Sequence, residues 1–492
     1  MGIIINQSIR NAVISYLGII IGFISTVQLF PNILGAEEFG LTRTLLAIMF
    51  VGSQIISIGI PNTIIKQFPY LIQHTENTRG LFLLFIIPVV FVFLLLSIFI
   101  LLFQDFVVNI YEDSPLLGLY YHFIIPLILF SALFAVLSSY ISSLLDTVFA
   151  SFLQDVLQRI VIVISLILVY FGFISFDTFI FIFVGNYGLI LLILLIYSFQ
   201  KNYLNLSLPL ELINKPILKR ISSYSFYSFF GRITMILVGN IDILMLSAYK
   251  GLEQTGIYAI AFYVGTVISV ARRSISKISF PLISKDMENN DLKSVSKMYK
   301  QTSLNMFLVG FLFYIGVWAN MDNLFAMLPE EYAAGGIVIL LIGAANLFDM
   351  ISGTNGQIIL SSKYYKHDML FTSFLVVFSI AMNAFLIPRY GIIGAALATS
   401  CSMLVYNIIK LVFVQIKFSM QPFSWKTIGI IVNGVVILIL SFQLPYLENI
   451  YLDTFIRSTI MAILYLAIIW IFDLSDEFKH TVKKISAKYL KL

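Results

Sequence analysis

Fourteen stretches of about twenty apolar residues, joined by short polar segments, restrict this 492-residue chain to one class of fold. They run at 11–34, 41–65, 81–103, 115–143, 150–174, 177–199, 221–248, 254–281, 302–327, 333–361, 367–387, 391–416, 427–445 and 454–473, and are called spans one to fourteen below. No segment between them is long enough to be a soluble domain. Inside a bilayer the backbone must satisfy its own hydrogen bonds, so the expected fold is all-α and membrane-integral. Only 11% of the residues are charged, against roughly 25% in a globular protein. The first run is long enough to span and lacks a small-residue cleavage site, so it is expected as an uncleaved first helix. The single Cys401 excludes an internal disulfide.

Basic residues orient the spans. With the N-terminus cytoplasmic, 23 of the 30 Lys and Arg fall at inner ends and loops, including Lys66, Arg272, Arg273 and the 282–300 loop. The outer side holds Arg43, Lys250, Arg389 and Arg457. This bias predicts both termini inside, and hence an even number of spans. The net charge of +5 is thereby accounted for by topology, and no nucleic-acid partner is expected. The outer loops are short.

Two turns recur. Gly35-Ala36-Glu37-Glu38-Phe39-Gly40 joins spans one and two, and Gly251-Leu252-Glu253-Gln254-Thr255-Gly256 joins spans seven and eight. Both read GxExxG, 216 residues apart. Phe171-Gly172-Phe173-Ile174 and Tyr390-Gly391-Ile392-Ile393 match 219 residues apart. Matched turns at nearly one offset predict two six-helix halves, a transporter pattern in which substrate binds between repeats near the midplane. The expected division is a bundle at 1–200, a cytoplasmic linker at 201–220, a second bundle at 221–416, two further spans at 417–474 and a basic tail at 475–492. In the tail, Phe478, Val482, Ile485 and Tyr489 recur at helical spacing among lysines, the pattern of an interfacial helix on an anionic leaflet.

NAFLIPRYGIIGAALAT, at 383–399, closes span eleven with Pro388, reverses at Gly391 and opens span twelve with small residues suited to close helix packing. Gly18 and Gly22 give span one a similar face. The 383–399 stretch also resembles the turn before the twelfth helix of bacterial polysaccharide and O-antigen flippases. These are oligosaccharide-lipid transporters of the multidrug/oligosaccharidyl-lipid/polysaccharide exporter superfamily. PNILGAEEFGL at 31–41, GIPNTIIKQFPYL at 59–71, LPEEYAAGG at 328–336 and LSSKYYK at 360–366 are similar to that family in the same order. The resemblance covers roughly residues 8–416. It implies two six-helix bundles forming a V around a central cavity, alternating access, and a lipid-linked oligosaccharide as cargo. It further implies polysaccharide assembly proteins as partners and the bacterial cytoplasmic membrane as location.

Charges at membrane depth are costly and mark function or pairing. Arg232 lies about 16 Å into span seven, near the midplane. The glycines at 231 and 239 predict a bend there. No acid lies three or four residues from Arg232, and Asp242 is about 15 Å further out. Asp155 and Arg159, four apart in span five, are placed to neutralise each other. Asp349 stands in span ten among Asn346, Ser352, Thr354, Asn355 and Gln357, too polar a stretch to face lipid. Lipid-linked sugars carry pyrophosphate, which Arg forks and Lys point charges bind. The candidate substrate contacts are therefore Arg232, Arg159, Arg272, Arg273 and Lys66. Asp349, Asn346, Asp242 and Asp155 are the candidate polar or coupling groups. Each has a structural alternative in packing, pairing or snorkelling.

There is no GxxxxGK[ST] and no HExxH, and the four His are scattered. No catalytic residue, cofactor or metal is expected. The first reading is a flippase for polyprenyl-pyrophosphate-linked oligosaccharide. The alternatives are a small-molecule or other lipid-linked-precursor exporter of that superfamily, an integral-membrane polymerase or glycosyltransferase, and a scaffold of an export complex. The deep Arg232 weighs against a cation exporter, and the short outer loops against an enzyme.

Overall fold

The apolar runs become helices because a chain without water partners closes its hydrogen bonds along its own axis. A computed structural model of the protein describes residues 2–75, 77–205 and 207–479. All the regular structure among them is helical. The expected tail helix falls mostly on residues 480–492, outside the described residues.

Eleven helices among the described residues are long and apolar enough to cross a membrane. Two of them, Lys215–Val267 and Tyr365–Phe418, have 53 and 54 residues. Each would be about 80 Å long if straight, far beyond a hydrocarbon core of about 30 Å. Each is broken at one glycine: Gly251 (φ 82°, ψ 174°) and Gly391 (φ 54°, ψ −129°). Only a residue without Cβ takes such conformations freely. Both glycines lie in the turns matched in sequence.

Other breaks fall inside expected spans. Span two is divided at Ile58 and Gly59, both at positive φ, into Ala36–Ser57 and Ile60–Leu71. Span eight stops at Ile268–Ser269, where the hydroxyls of Thr266 and Ser269 bond carbonyls three residues back, and resumes as Val270–Glu288. Span ten breaks at Ser352–Thr354, with Gly353 at φ +64°, between Gly336–Ile351 and Asn355–Leu360. Conversely, the bend expected at Gly231 and Gly239 is absent. The helix runs unbroken past both, and a Cβ at either would meet open space.

The chain divides into two compact units, Met1–Gly256 and Ile257–Leu492. Span seven thus packs with the first unit. In unit one, the Ile124–Ser143 helix is central and touches both parts of span two and spans three and six. The two GxExxG turns meet there. A Cβ on Gly40 would strike the Leu252 carbonyl, and one on Gly256 the Ala36 carbonyl. Because 252 is 36 displaced by 216 and 256 is 40 displaced by 216, the two contacts are the same contact made reciprocally. In unit two, the Leu292–Ala319 helix is central, and the last two apolar helices pack on it. There the Tyr465 hydroxyl donates to the Leu308 carbonyl at 3.0 Å, and Gly434 makes room for the Phe311 ring. The small face of span twelve is buried at Ala395, Ala396 and Ala398, with the Ser400 hydroxyl donating to the Leu341 carbonyl of span ten at 3.1 Å.

Candidate functional site

The second half of span two and the start of span seven form an antiparallel polar seam in unit one. Gly59 begins it. A Cβ there would collide with the Ser225 carbonyl and come within 2.6 Å of the Phe229 nitrogen, so a larger residue would push the helices apart. One turn on, the Thr63 and Ser225 hydroxyls are 2.8 Å apart and the Asn62 amide donates to Ser228 at 3.0 Å. Farther along, Arg220 donates to Gln67 at 2.9 Å and stacks over Tyr70, 3.8 Å from its centroid. At the other end, Arg232 donates to the side-chain Oδ1 of Asn62 at 3.3 Å. Arg232 is exposed and forms no ion pair among the described residues. Its partner does come from another helix, but a neutral amide leaves the charge unneutralised. Lys66 is one turn beyond Asn62 on the same helix face and is exposed.

Span five corrects the expected Asp155–Arg159 pair. Leu153–Leu157 is a π-helical turn, which rotates the i,i+4 positions off a common face. Asp155 accepts from Ser15 at 3.2 Å, and Arg159 donates to the Gly18 carbonyl. A Cβ on Gly22 would overlap the Arg159 guanidinium. The small face of span one is thus the seat for these two side chains, and Arg159 ties one helix to another. Asp242, farther along span seven, is buried.

Unit two holds a second charged group. Arg272, just past the break in span eight, is ion-paired with Asp349 of span ten, a buried carboxylate. The Asn407 amide, which donates to the Met403 carbonyl at 3.0 Å, and the Lys410 ammonium both act on the same carboxylate. Lys410 is itself buried and paired with Asp368 at 2.6 Å. Its ammonium is 4.2 Å from the Tyr406 ring centroid. Asn346 does not join this group. Its amide donates to the Ile342 carbonyl at 2.9 Å and reaches the Gly265 carbonyl at 3.5 Å, fastening span ten to span eight. Gln357 bridges to the Ser276 carbonyl at 3.0 Å. Arg273 is exposed.

The sequence reading missed Asn62, Asp368 and Lys410. Lys410 had a signal: it sits in the apolar run 391–416 by the same criterion that singled out Arg232. Asn62 and Asp368 had none, since their significance lies in partners 170 and 42 residues away. No three His, Cys, Asp or Glu side chains among the described residues converge as a metal site.

The profile of the polysaccharide biosynthesis protein family matches residues 6–287. The chain is 21% identical over 232 residues to a probable low-salt glycan biosynthesis flippase of Haloferax volcanii, covering 45% of this chain and 49% of that one. It is 23% identical over 398 residues to an uncharacterized membrane protein of Methanocaldococcus jannaschii, covering 75% and 87%. It spans about half the length of the first curated relatives it matches. Among solved structures, the lipid II flippase MurJ in an inward closed conformation aligns with a TM-score of 0.72 at 18% identity, over 95% of this chain and 98% of that one. An inward-facing multidrug resistance MATE family transporter of the MOP superfamily aligns with a TM-score of 0.56 at 12% identity, over 82% and 94%. These likenesses extend the fold over nearly the whole chain, and the profile covers more than half of it: the chain is a multi-pass helical membrane protein and belongs to the polysaccharide biosynthesis protein family.

Proposed function

We propose that this protein is a flippase that carries a polyprenyl-pyrophosphate-linked oligosaccharide from the cytoplasmic to the outer leaflet. The observation that carries the proposal is Arg232. A guanidinium at membrane depth, exposed and met among the described residues by the Asn62 side-chain oxygen, is the group a phosphate completes. Lys66 and Arg220 extend the same seam, and Arg272 and Arg273 supply cations in the second unit. A relative named as a probable glycan biosynthesis flippase and a fold shared with a lipid II flippase support the class of cargo. In this reading Arg159 and Asp155 hold span one to span five rather than touching substrate. Asp242 and Asp349 are the carboxylates open to a coupling role.

The topology that goes with this function has fourteen crossings and both termini cytoplasmic, in a bacterial cytoplasmic membrane. Its twelve-span core is two repeats, 1–200 and 221–416. Spans thirteen and fourteen are accessory, and polysaccharide assembly proteins are the proposed partners. The test is reconstitution: purified protein in vesicles loaded with a fluorescent lipid-linked oligosaccharide, with outer-leaflet arrival read by a membrane-impermeant quencher. Transport by the wild type, lost in Arg232→Ala, supports the proposal. Equal rates with and without protein overturn it.

A further inference from the structure

Two ion pairs of unit two, Arg272–Asp349 and Lys410–Asp368, are linked by the attraction of Lys410 for Asp349 into a row of four charges. They alternate in sign, and their exposure is uneven. The side chains of Asp349, Lys410 and Asp368 are 6%, 7% and 18% exposed, whereas that of Arg272 is 42% exposed. Only one end of the row is open to a ligand, and that end is a cation.

Asp349 occupies the decisive place. Arg272 pairs with it directly, and Asn407 and Lys410, one turn apart on span twelve, also act on it. A buried carboxylate that lost its only cation would be strongly penalised. Asp349 has a second cation behind it, and a lysine ammonium has three donors, enough for Asp349 and Asp368 together. It also sits in the last turn of Gly336–Ile351, where the helix dipole disfavours a negative charge, next to the break at Ser352–Thr354. These features loosen its hold on Arg272 without leaving it unpaired.

We propose that Asp349 is an exchangeable counter-ion. It neutralises Arg272 when no substrate is present, and a substrate phosphate takes its place on Arg272 while Asp349 turns to Asn407 and Lys410. Lys410 is then the positioning residue that makes Arg272 available. This inference rests on the pyrophosphate reading and adds its occupancy switch. The exchange involves no covalent step.

The experiment measures binding of farnesyl pyrophosphate, with farnesol as control, to the full-length protein in detergent micelles. Asp349→Asn removes the competitor, and binding should tighten by about tenfold, the equivalent of about 1.4 kcal/mol. Lys410→Met with Asp368→Asn, a charge-neutral change, traps Asp349 on Arg272, and binding should weaken. Adding Asp349→Asn to that pair should restore the tight binding of the single variant, an outcome that a merely structural defect does not give. Binding that Asp349→Asn leaves unchanged or weakens, or a triple variant as weak as the double, overturns the exchange. A wild type that prefers farnesyl pyrophosphate no more than farnesol overturns the pyrophosphate reading itself, and the exchange with it.

Discussion

Replacing Arg457 with alanine should loosen the last two apolar helices from each other. The side chain is 1% exposed. Its guanidinium donates to both Asp453 oxygens at 3.2 and 3.4 Å, and to the carbonyls of Ser441, Leu444 and Pro445 at 2.6, 3.5 and 3.4 Å. It closes the C-terminal end of Trp425–Ser441 and binds the first turn of Ile450–Ile471 to it. Without it, Asp453 at 2% exposure keeps only Asn323 at 2.6 Å and the Leu447 amide at 3.1 Å. Removing one member of a buried ion pair costs about 3–5 kcal/mol. At about 2–4 °C per kcal/mol for a unit of this size, the melting midpoint should fall by about 6–20 °C. Intrinsic fluorescence during heating in detergent is well placed to read it, since Trp425 and Trp470 lie in these two helices. Arg457→Met combined with Asp453→Asn leaves no stranded charge and keeps an acceptor for Asn323, so it should recover more than half of the loss. An unchanged midpoint for Arg457→Ala, or a double variant no better than the single, would refute the pairing as the lock.

Arg232→Ala should abolish export while the protein remains folded and inserted, and Arg232→Lys should retain part of the activity because the two-pronged donor geometry is gone; complementation of polysaccharide export at matched expression checks both. In a Cys401→Ser background, cysteines placed at the exposed Glu112 and Asn289 should label from opposite membrane faces, and labelling from one face would sink the proposed orientation. Gly40→Leu should disrupt the contact between the two GxExxG turns, since its Cβ overlaps a backbone carbonyl that cannot rotate aside; a cost of about 1–3 kcal/mol or more is expected in thermal melting. Gly239→Leu, in open space, should cost far less than Gly40→Leu.

The class of fold was legible because it depends on length and hydropathy alone. An apolar run of twenty residues in a chain this poor in charge has no alternative to a membrane helix. The turns at Gly251 and Gly391 were legible too, since a positive φ selects glycine whatever surrounds it. The breaks inside spans two, eight and ten were less so. Their residues, Ile58, Ser269 and Ser352, carry no strong turn preference, and neighbouring helices and local hydroxyl bonds set the conformation. Gly231 and Gly239 show the converse: glycine permits a bend without imposing one, and the helix continues past both.

For the site, the sequence by itself marked charges that fall inside apolar runs, because depth follows from counting residues along a helix. Arg232 stands out that way, Asp349 by the polar residues around it, and Arg159 and Arg272 as charges toward the cytoplasmic ends of their spans. Only the tertiary structure decided their partners. It gave Arg159 to the Gly18 carbonyl, because a π turn moved it away from Asp155. It gave Arg272 to Asp349, with Lys410 waiting behind. It left Arg232 with the amide of Asn62, 170 residues away. A charge in a low-dielectric medium must be answered within a few ångströms. Which group stands within that distance is a property of how helices cross in space, and no local pattern along the chain encodes it.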